Sequence, residues 1–179
     1  MKITRKTTIL EIGCLVCQAL REAGISSFLS GGAVVSIYTK NQYESFDLDF
    51  VSYGDRKRIS EVMASLGFVK GPGRHFIHPD TQYFVEFPGL AAAIGDQLIE
   101  RFAEMKSKAG VLTLLTPTDC VMDRLSAYYH WNDEQSLDQA ILVAKSRKID
   151  LNRIEDWSRR ERMTEKFQVF RNRLLPKRK

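Results

Sequence analysis

The sequence predicts an α/β chain of the α+β type. A short mixed β-sheet flanked by helices occupies residues 1–116, and a C-terminal helical region, residues 117–179, packs on it. Three observations predict this. Short apolar runs bounded by turn residues, at 25–30, 46–52 and 111–115, alternate with longer amphipathic segments. Thr116-Pro117 closes the last of those runs, and everything after it has helical spacing. With 179 residues, 44% hydrophobic and 27% charged, the chain can fill a core and keep a polar surface.

The elements follow in order. Residues 8–23 carry Leu10, Cys14, Val16 and Leu20 at helical spacing, and Gly24 stops them. Residues 25–30 read as a strand that ends at two glycines, 33–40 as a short helix, and 46–52 as a second strand. Asp55 caps an amphipathic helix at 55–66, which Gly67 terminates. Three short strands follow at 68–70, 74–78 and 83–87, the last two joined by the turn-like residues 79–82. Residues 97–106 fit a strand or a helix, and 111–115 is a clearer strand. Helices are expected at 119–130, 133–146 and 151–174. There is no internal repeat or low-complexity segment.

No apolar run approaches the roughly 20 residues needed to span a bilayer. The N-terminus also lacks the apolar stretch of a signal peptide, so a cytoplasmic location is expected. The three cysteines, Cys14, Cys17 and Cys120, do not form an even disulfide set. Cys14 and Cys17 lie within a helical pattern and read as small buried hydrophobes. The formal net charge of +5 points mildly to an anionic partner. Much of the excess sits late, at Arg159, Arg160, Arg162, Arg171, Arg173, Lys177, Arg178 and Lys179. Taken alone, a solvated helix face with a basic tail is the simpler explanation of that excess.

The chemistry-bearing motif is Ser30-Gly31-Gly32 followed by Ser45-Phe46-Asp47-Leu48-Asp49-Phe50-Val51. Strand alternation sends Phe46, Leu48 and Phe50 towards a core and both aspartates the other way. Two carboxylates side by side repel unless a cation lies between them, and Mg²⁺ takes such oxygens together with substrate phosphates. The glycines permit close backbone approach, and amides at a helix start can hold phosphate oxygens.

This order of residues resembles the nucleotidyltransferases of the DNA polymerase β superfamily, and is most similar to the small bacterial abortive-infection type toxins. Gly31 and Gly32 match the paired glycines, Ser45 the small hydroxyl residue, and Asp47 and Asp49 the metal pair. The resemblance implies a third carboxylate on a neighbouring strand. Glu86 is its best match, and alternation puts Glu86 and Phe84 on one face of their strand. It also implies a basic residue and a supporting acid on later helices, which Arg124 and Asp133 match, with Asp123 a weaker candidate. Two positions depart from the pattern: Tyr43 stands where a basic residue is common, and the third acid is Glu rather than Asp. His75 and His78 fall on opposite faces of a strand and read as hairpin surface residues.

The resemblance then implies an enzyme moving a nucleotide from an NTP to a hydroxyl acceptor. Asp47, Asp49 and Glu86 would hold Mg²⁺ or Mn²⁺. Ser30, Gly31, Gly32, Ser45, Arg124 and Asp133 would hold the nucleotide. RNA, with tRNA one candidate in a toxin–antitoxin pair with a cognate antitoxin protein, is the acceptor the basic flank favours, and a small-molecule or protein hydroxyl is the second. An inactive nucleotide-binding or regulatory module is the alternative of a different class.

Overall fold

The computed structural model describes residues 1–71, 73–89 and 93–175. The first helix, α1 (Ile9–Glu22), starts at a reciprocal cap: the Thr8 amide donates to Glu11 Oε2 at 2.9 Å, and the Glu11 amide to Thr8 Oγ1 at 3.3 Å. β1 (Ser27–Ser30) runs directly into α2 (Gly31–Thr39), and β2 (Asp47–Ser52) follows. The aspartate strand leads to α3 (Arg56–Ser65), whose first amides are capped by Asp55. Then come β3 (Val69–Lys70), β4 (His75–Ile77) and β5 (Phe84–Glu86). A small hairpin of β6 (Ala93–Ile94) and β7 (Gln97–Leu98) precedes β8 (Phe102–Ser107) and β9 (Gly110–Leu115). The chain finishes with α4 (Pro117–Trp131), α5 (Glu134–Ser146), α6 (Leu151–Arg160) and α7 (Thr164–Leu174).

Seven strands form one mixed sheet in the order β3-β4-β5-β2-β1-β9-β8. β2 pairs antiparallel with β1 and parallel with β5, while β1 pairs parallel with β9. Helix α1 packs on the face carrying Leu48 and Leu112. Gly13 permits that approach, since a side-chain carbon there would lie 3.1 Å from Leu112 and 3.6 Å from Leu48. Strand alternation puts Ser30, Asp47, Asp49 and Val51 on the opposite face. Leu29, Leu48, Phe50, Leu112 and Leu114 are buried and continue into a core with Leu125, Trp157 and Phe167 from the later helices. All three cysteines are free and buried, as expected for small core residues. Among the described residues no helix is long and apolar enough to cross a membrane.

Four expectations change. Phe46 does not enter the core; it precedes β2, is 43% exposed and stacks on Tyr83 with ring centres 6.3 Å apart. Helix α2 begins two residues early, at Gly31. The ambiguous stretch at 97–106 divides into β7 and β8, because β8 pairs with β9 in continuous register from Phe102↔Leu115 to Ser107↔Gly110. The helix expected at 151–174 is two helices. Arg162 takes a left-handed conformation (φ 60°), and the Arg162 and Met163 amides close α6 on Arg159 and Ser158 carbonyls. The reversal lets Phe167 and Phe170 bury in the same core as Trp157. No glycine or proline marks it in the sequence.

Candidate active site

The acids converge because of strand register. Ser30 lies opposite Asp49 across β1 and β2, Asp49 is in register with Glu86 across β2 and β5, and Glu86 with His75 across β5 and β4. Ser30, Asp49, Glu86 and His75 therefore form one row across four adjacent strands. Asp47 lies two residues along β2 from Asp49, on the same face.

At the β1–α2 junction the two glycines are required by different contacts. Gly31 has φ +72°, and a side-chain carbon there would lie 2.5 Å from Asp49 Oδ2. At Gly32 it would lie 2.9 Å from Ser45 Oγ and 3.5 Å from the Tyr43 ring. The helix start thus lies directly against both the aspartate and the serine of the motif. Ser30 makes no side-chain cap; its hydroxyl donates to the Asp49 carbonyl at 3.3 Å. Ser45 is held by its amide, which donates to Ser36 Oγ at 2.8 Å, and its own hydroxyl donates to Asp47 Oδ1.

Electrostatics single out Asp49. Burial, then the neighbouring charges of Asp47 and Glu86, push its carboxyl up to about 6, with Arg124 offsetting part of the rise. Arg124 is itself engaged: it donates from Nε to Asp123 Oδ2 at 3.0 Å and from Nη1 to Gln139 at 3.4 Å. Asp133 caps α5, accepting from the Gln135 amide at 3.0 Å, the Ser136 amide at 3.3 Å and the Ser136 hydroxyl at 2.6 Å. The Ser136 hydroxyl, foremost, holds the Asp133 carboxyl below the usual carboxylate range. Tyr43 is pushed up by burial and by Asp47, so it stays a neutral hydroxyl beside the glycines.

Two neighbours are new relative to the sequence reading. His75, expected as a surface residue, has its Nε2 against Glu86 Oε1 and its ring 4.6 Å from that of Phe84. His78 does not share this environment; it packs on Phe68 at 5.3 Å. Asp123, the weaker acid candidate, is the direct partner of Arg124 and lines a cavity together with Ser30.

Among the described residues no three acids, histidines or cysteines are gathered into a preformed metal cage. The donor set nevertheless fits a hard divalent cation. Asp47, Asp49 and Glu86 are carboxylates on one face, and burial together with its two acidic neighbours favours the protonated form of Asp49, which a cation there would reverse. Mg²⁺ characteristically takes one or two carboxylates and completes its shell with water and phosphate.

No protein-family model and no curated protein matches the sequence. Solved structures do resemble the fold. An antigenic nucleotidyltransferase-like protein from Paracoccidioides brasiliensis superposes with a TM-score of 0.56 at 13% identity, over 98% of this chain and 91% of that one. The antibiotic-resistance factor ANT(2'')-Ia gives a TM-score of 0.49 at 13% identity, over 93% of this chain and 94% of its own. A crystal structure of ANT(2'')-Ia in complex with adenylyl-2''-tobramycin gives 0.48 at 14%, over 92% and 97%. The fold is nucleotidyltransferase-like.

Proposed function

We propose that this protein is a metal-dependent nucleotidyltransferase that moves a nucleotide from an NTP to a hydroxyl acceptor. The observation that carries the reading is the row Ser30–Asp49–Glu86, which lines up a helix start and two carboxylates across three strands, with Asp47 on the same face. An exposed acidic strand face would not require glycines at both positions where α2 meets Asp49 and Ser45.

Asp47, Asp49 and Glu86 are the residues that would hold Mg²⁺ or Mn²⁺. A divalent cation bound there would neutralise phosphate charge and favour ionisation of the acceptor hydroxyl. Gly31 and Gly32 leave the first amides of α2 approachable by β- and γ-phosphate oxygens, and the Ser30 hydroxyl would add a donor by turning from the Asp49 carbonyl. Ser45 orients Asp47 through its hydrogen bond. Arg124 adds positive charge near Asp49, with Asp133 close enough to contribute to the same field. Glu86 accepts the hydroxyl proton as the acceptor oxygen bonds to the α-phosphorus and pyrophosphate departs with its electron pair.

The narrower form of the proposal is an abortive-infection type toxin acting on RNA, with tRNA as one candidate, restrained by an antitoxin protein. The net charge of +5 supports it. Against it, Arg153, Arg171 and Arg173 are engaged in ion pairs with Asp119, Glu155, and Glu134 and Asp138. Lys177, Arg178 and Lys179 lie outside the described residues.

Labelled NTPs incubated with total RNA and with small hydroxyl compounds test the reading. Transfer should require Mg²⁺ or Mn²⁺ and vanish in Asp49→Asn. Removal of Lys177, Arg178 and Lys179 should flatten the salt dependence of RNA binding by about one log-log unit per lost phosphate contact. Failure of transfer with all four NTPs and both metals would favour the inactive binding module. Transfer that survives Asp49→Asn would place the chemistry elsewhere.

A further inference from the structure

On the face of the sheet that carries the acids, β1 and β2 continue past Ser30↔Asp49 to Phe28↔Val51. Strand β1 meets β9 at Leu29↔Leu114, and a cavity of about 600 Å³ opens beside β1 and β9. It is lined by Phe28, Val51, Ile99 and Phe102, with Arg21 in its wall. A second cavity of about 270 Å³, lined by Ser30 and Asp123, shares Phe28, Val51 and Ile99 with the first. The two make one groove leading away from the carboxylate row. Three residues of strand rise put its far end roughly 10 Å from Ser30 and Asp49.

The chemistry of the groove changes along its length. At the near end are the hydroxyl of Ser30 and the carboxylate of Asp123. In the middle the walls are apolar, and the Phe28 and Phe102 rings lie 4.6 Å apart. Two large apolar residues of the larger cavity's lining remain exposed, Tyr53 at 74% and Phe102 at 40%, and Leu98, next to the lining residue Ile99, is 69% exposed. Such clustering beside a polar site marks a contact surface for a ligand. Among the described residues, Arg21 is the only cation lining either cavity. It donates to Thr113 Oγ1 at 2.9 Å, and Glu104 stands 4.0 Å away in an exposed pair that neutralises it weakly.

We propose that this groove seats the acceptor, a small amphipathic molecule with a hydroxyl at one end, an apolar ring-sized body and an anionic group at the other. The proposal rests on the nucleotidyl-transfer reading and adds the class of acceptor to it. The hydroxyl faces the carboxylate row, the ring packs on the apolar surface that Phe28, Val51 and Phe102 form together, and the anion meets Arg21. Cavities of roughly 300–1,000 Å³ with a mostly apolar lining and a few polar anchors are typical of small-ligand sites. A nucleic-acid backbone would need a track of cations, and the described residues of the groove supply a single cation, Arg21. In the transfer, the acceptor oxygen forms the new bond to the α-phosphorus, the bond to the bridging oxygen breaks with its electrons on pyrophosphate, and the hydroxyl proton passes to Glu86.

The test uses the full chain with 3-(4-hydroxyphenyl)propanoate and its methyl ester as probes, titrated calorimetrically. The melting shift caused by Mg²⁺ with an NTP is recorded on the same samples. The acid should bind saturably, and the ester roughly fivefold more weakly, as for loss of one partly exposed charge contact. Arg21→Gln should remove that difference, and Phe102→Ala should weaken both probes about three- to tenfold. Both variants should keep the Mg²⁺–NTP melting shift. Absence of saturable probe binding, or equal binding of acid and ester to the parent, with the NTP shift intact, would overturn the acceptor assignment and spare the enzyme class. Labelled transfer to RNA alone, with these probes inert, would also overturn it. Absence of the Mg²⁺–NTP shift would remove both.

Discussion

Asp49 couples protonation to folding. Its carboxyl ionises near 3.8 when unfolded and near 6 when folded, so the folded state holds a proton longer. Unfolded molecules therefore bind fewer protons between those values, and stability falls as pH rises from about 4 through about 6. Asp49→Asn should stabilise the metal-free protein by about 1–2 kcal/mol at pH 7.5 and give no benefit near pH 4, which denaturant melts at the two pH values will show. Gly31→Ala should act in the opposite direction. It forces a side chain into φ +72° and against Asp49 Oδ2, so a loss of about 1–2 kcal/mol is expected even before any effect on transfer. Part of this residue-level picture was legible: strand parity puts Asp47 and Asp49 on one face, and the family resemblance pointed to Glu86 on a neighbouring strand, where the β2–β5 pairing places it. His75 was not, because its meeting with Glu86 depends on the β4–β5 register, which alternation within one strand cannot supply. Asp123 was read as the weaker acid for a different reason: its partnership with Arg124 joins adjacent residues that helical spacing does not place on one face.

At the scale of elements, the β6–β7 hairpin is tied to the helices across the cavity. The Asp96 amide donates to Glu161 Oε1 at 3.3 Å, His130 lies 3.4 Å from Glu161 Oε2, and Arg160 donates to Gln97 at 2.8 Å. Gly95 is required there because a side-chain carbon would collide with the Glu161 carboxylate. Glu161→Ala should release the hairpin locally. Hydrogen exchange at residues 93–98 is expected to accelerate while protection of β1 and β2 stays unchanged; equal loss in both would mean the hairpin unfolds with the whole. Helix ends were readable from sequence at Asp55, which caps α3, and at Gly24, just beyond α1. Two-residue strands such as β6 and β7 carry too little periodicity to read. The break between α6 and α7 escaped because Arg162 adopts a conformation its side chain does not advertise.

At the scale of the molecule, cation and nucleotide should bind as one linked event. Mg²⁺ with an NTP is expected to raise the melting temperature by more than the two separate shifts combined, and Asp47→Asn with Asp49→Asn should abolish the excess. Unchanged stabilisation in the double variant would locate the nucleotide away from β2. The order of the sheet carries a separate consequence. Its borders are β3, only two residues long, and β8, whose Glu104 and Lys106 stand exposed on the outer strand. A short border and a charged one both resist the addition of a strand from another molecule. Fibrous growth by sheet extension is thereby blocked at both ends, so crowded solutions of the protein should stay clear, while Glu104→Val with Lys106→Val should make them turn turbid.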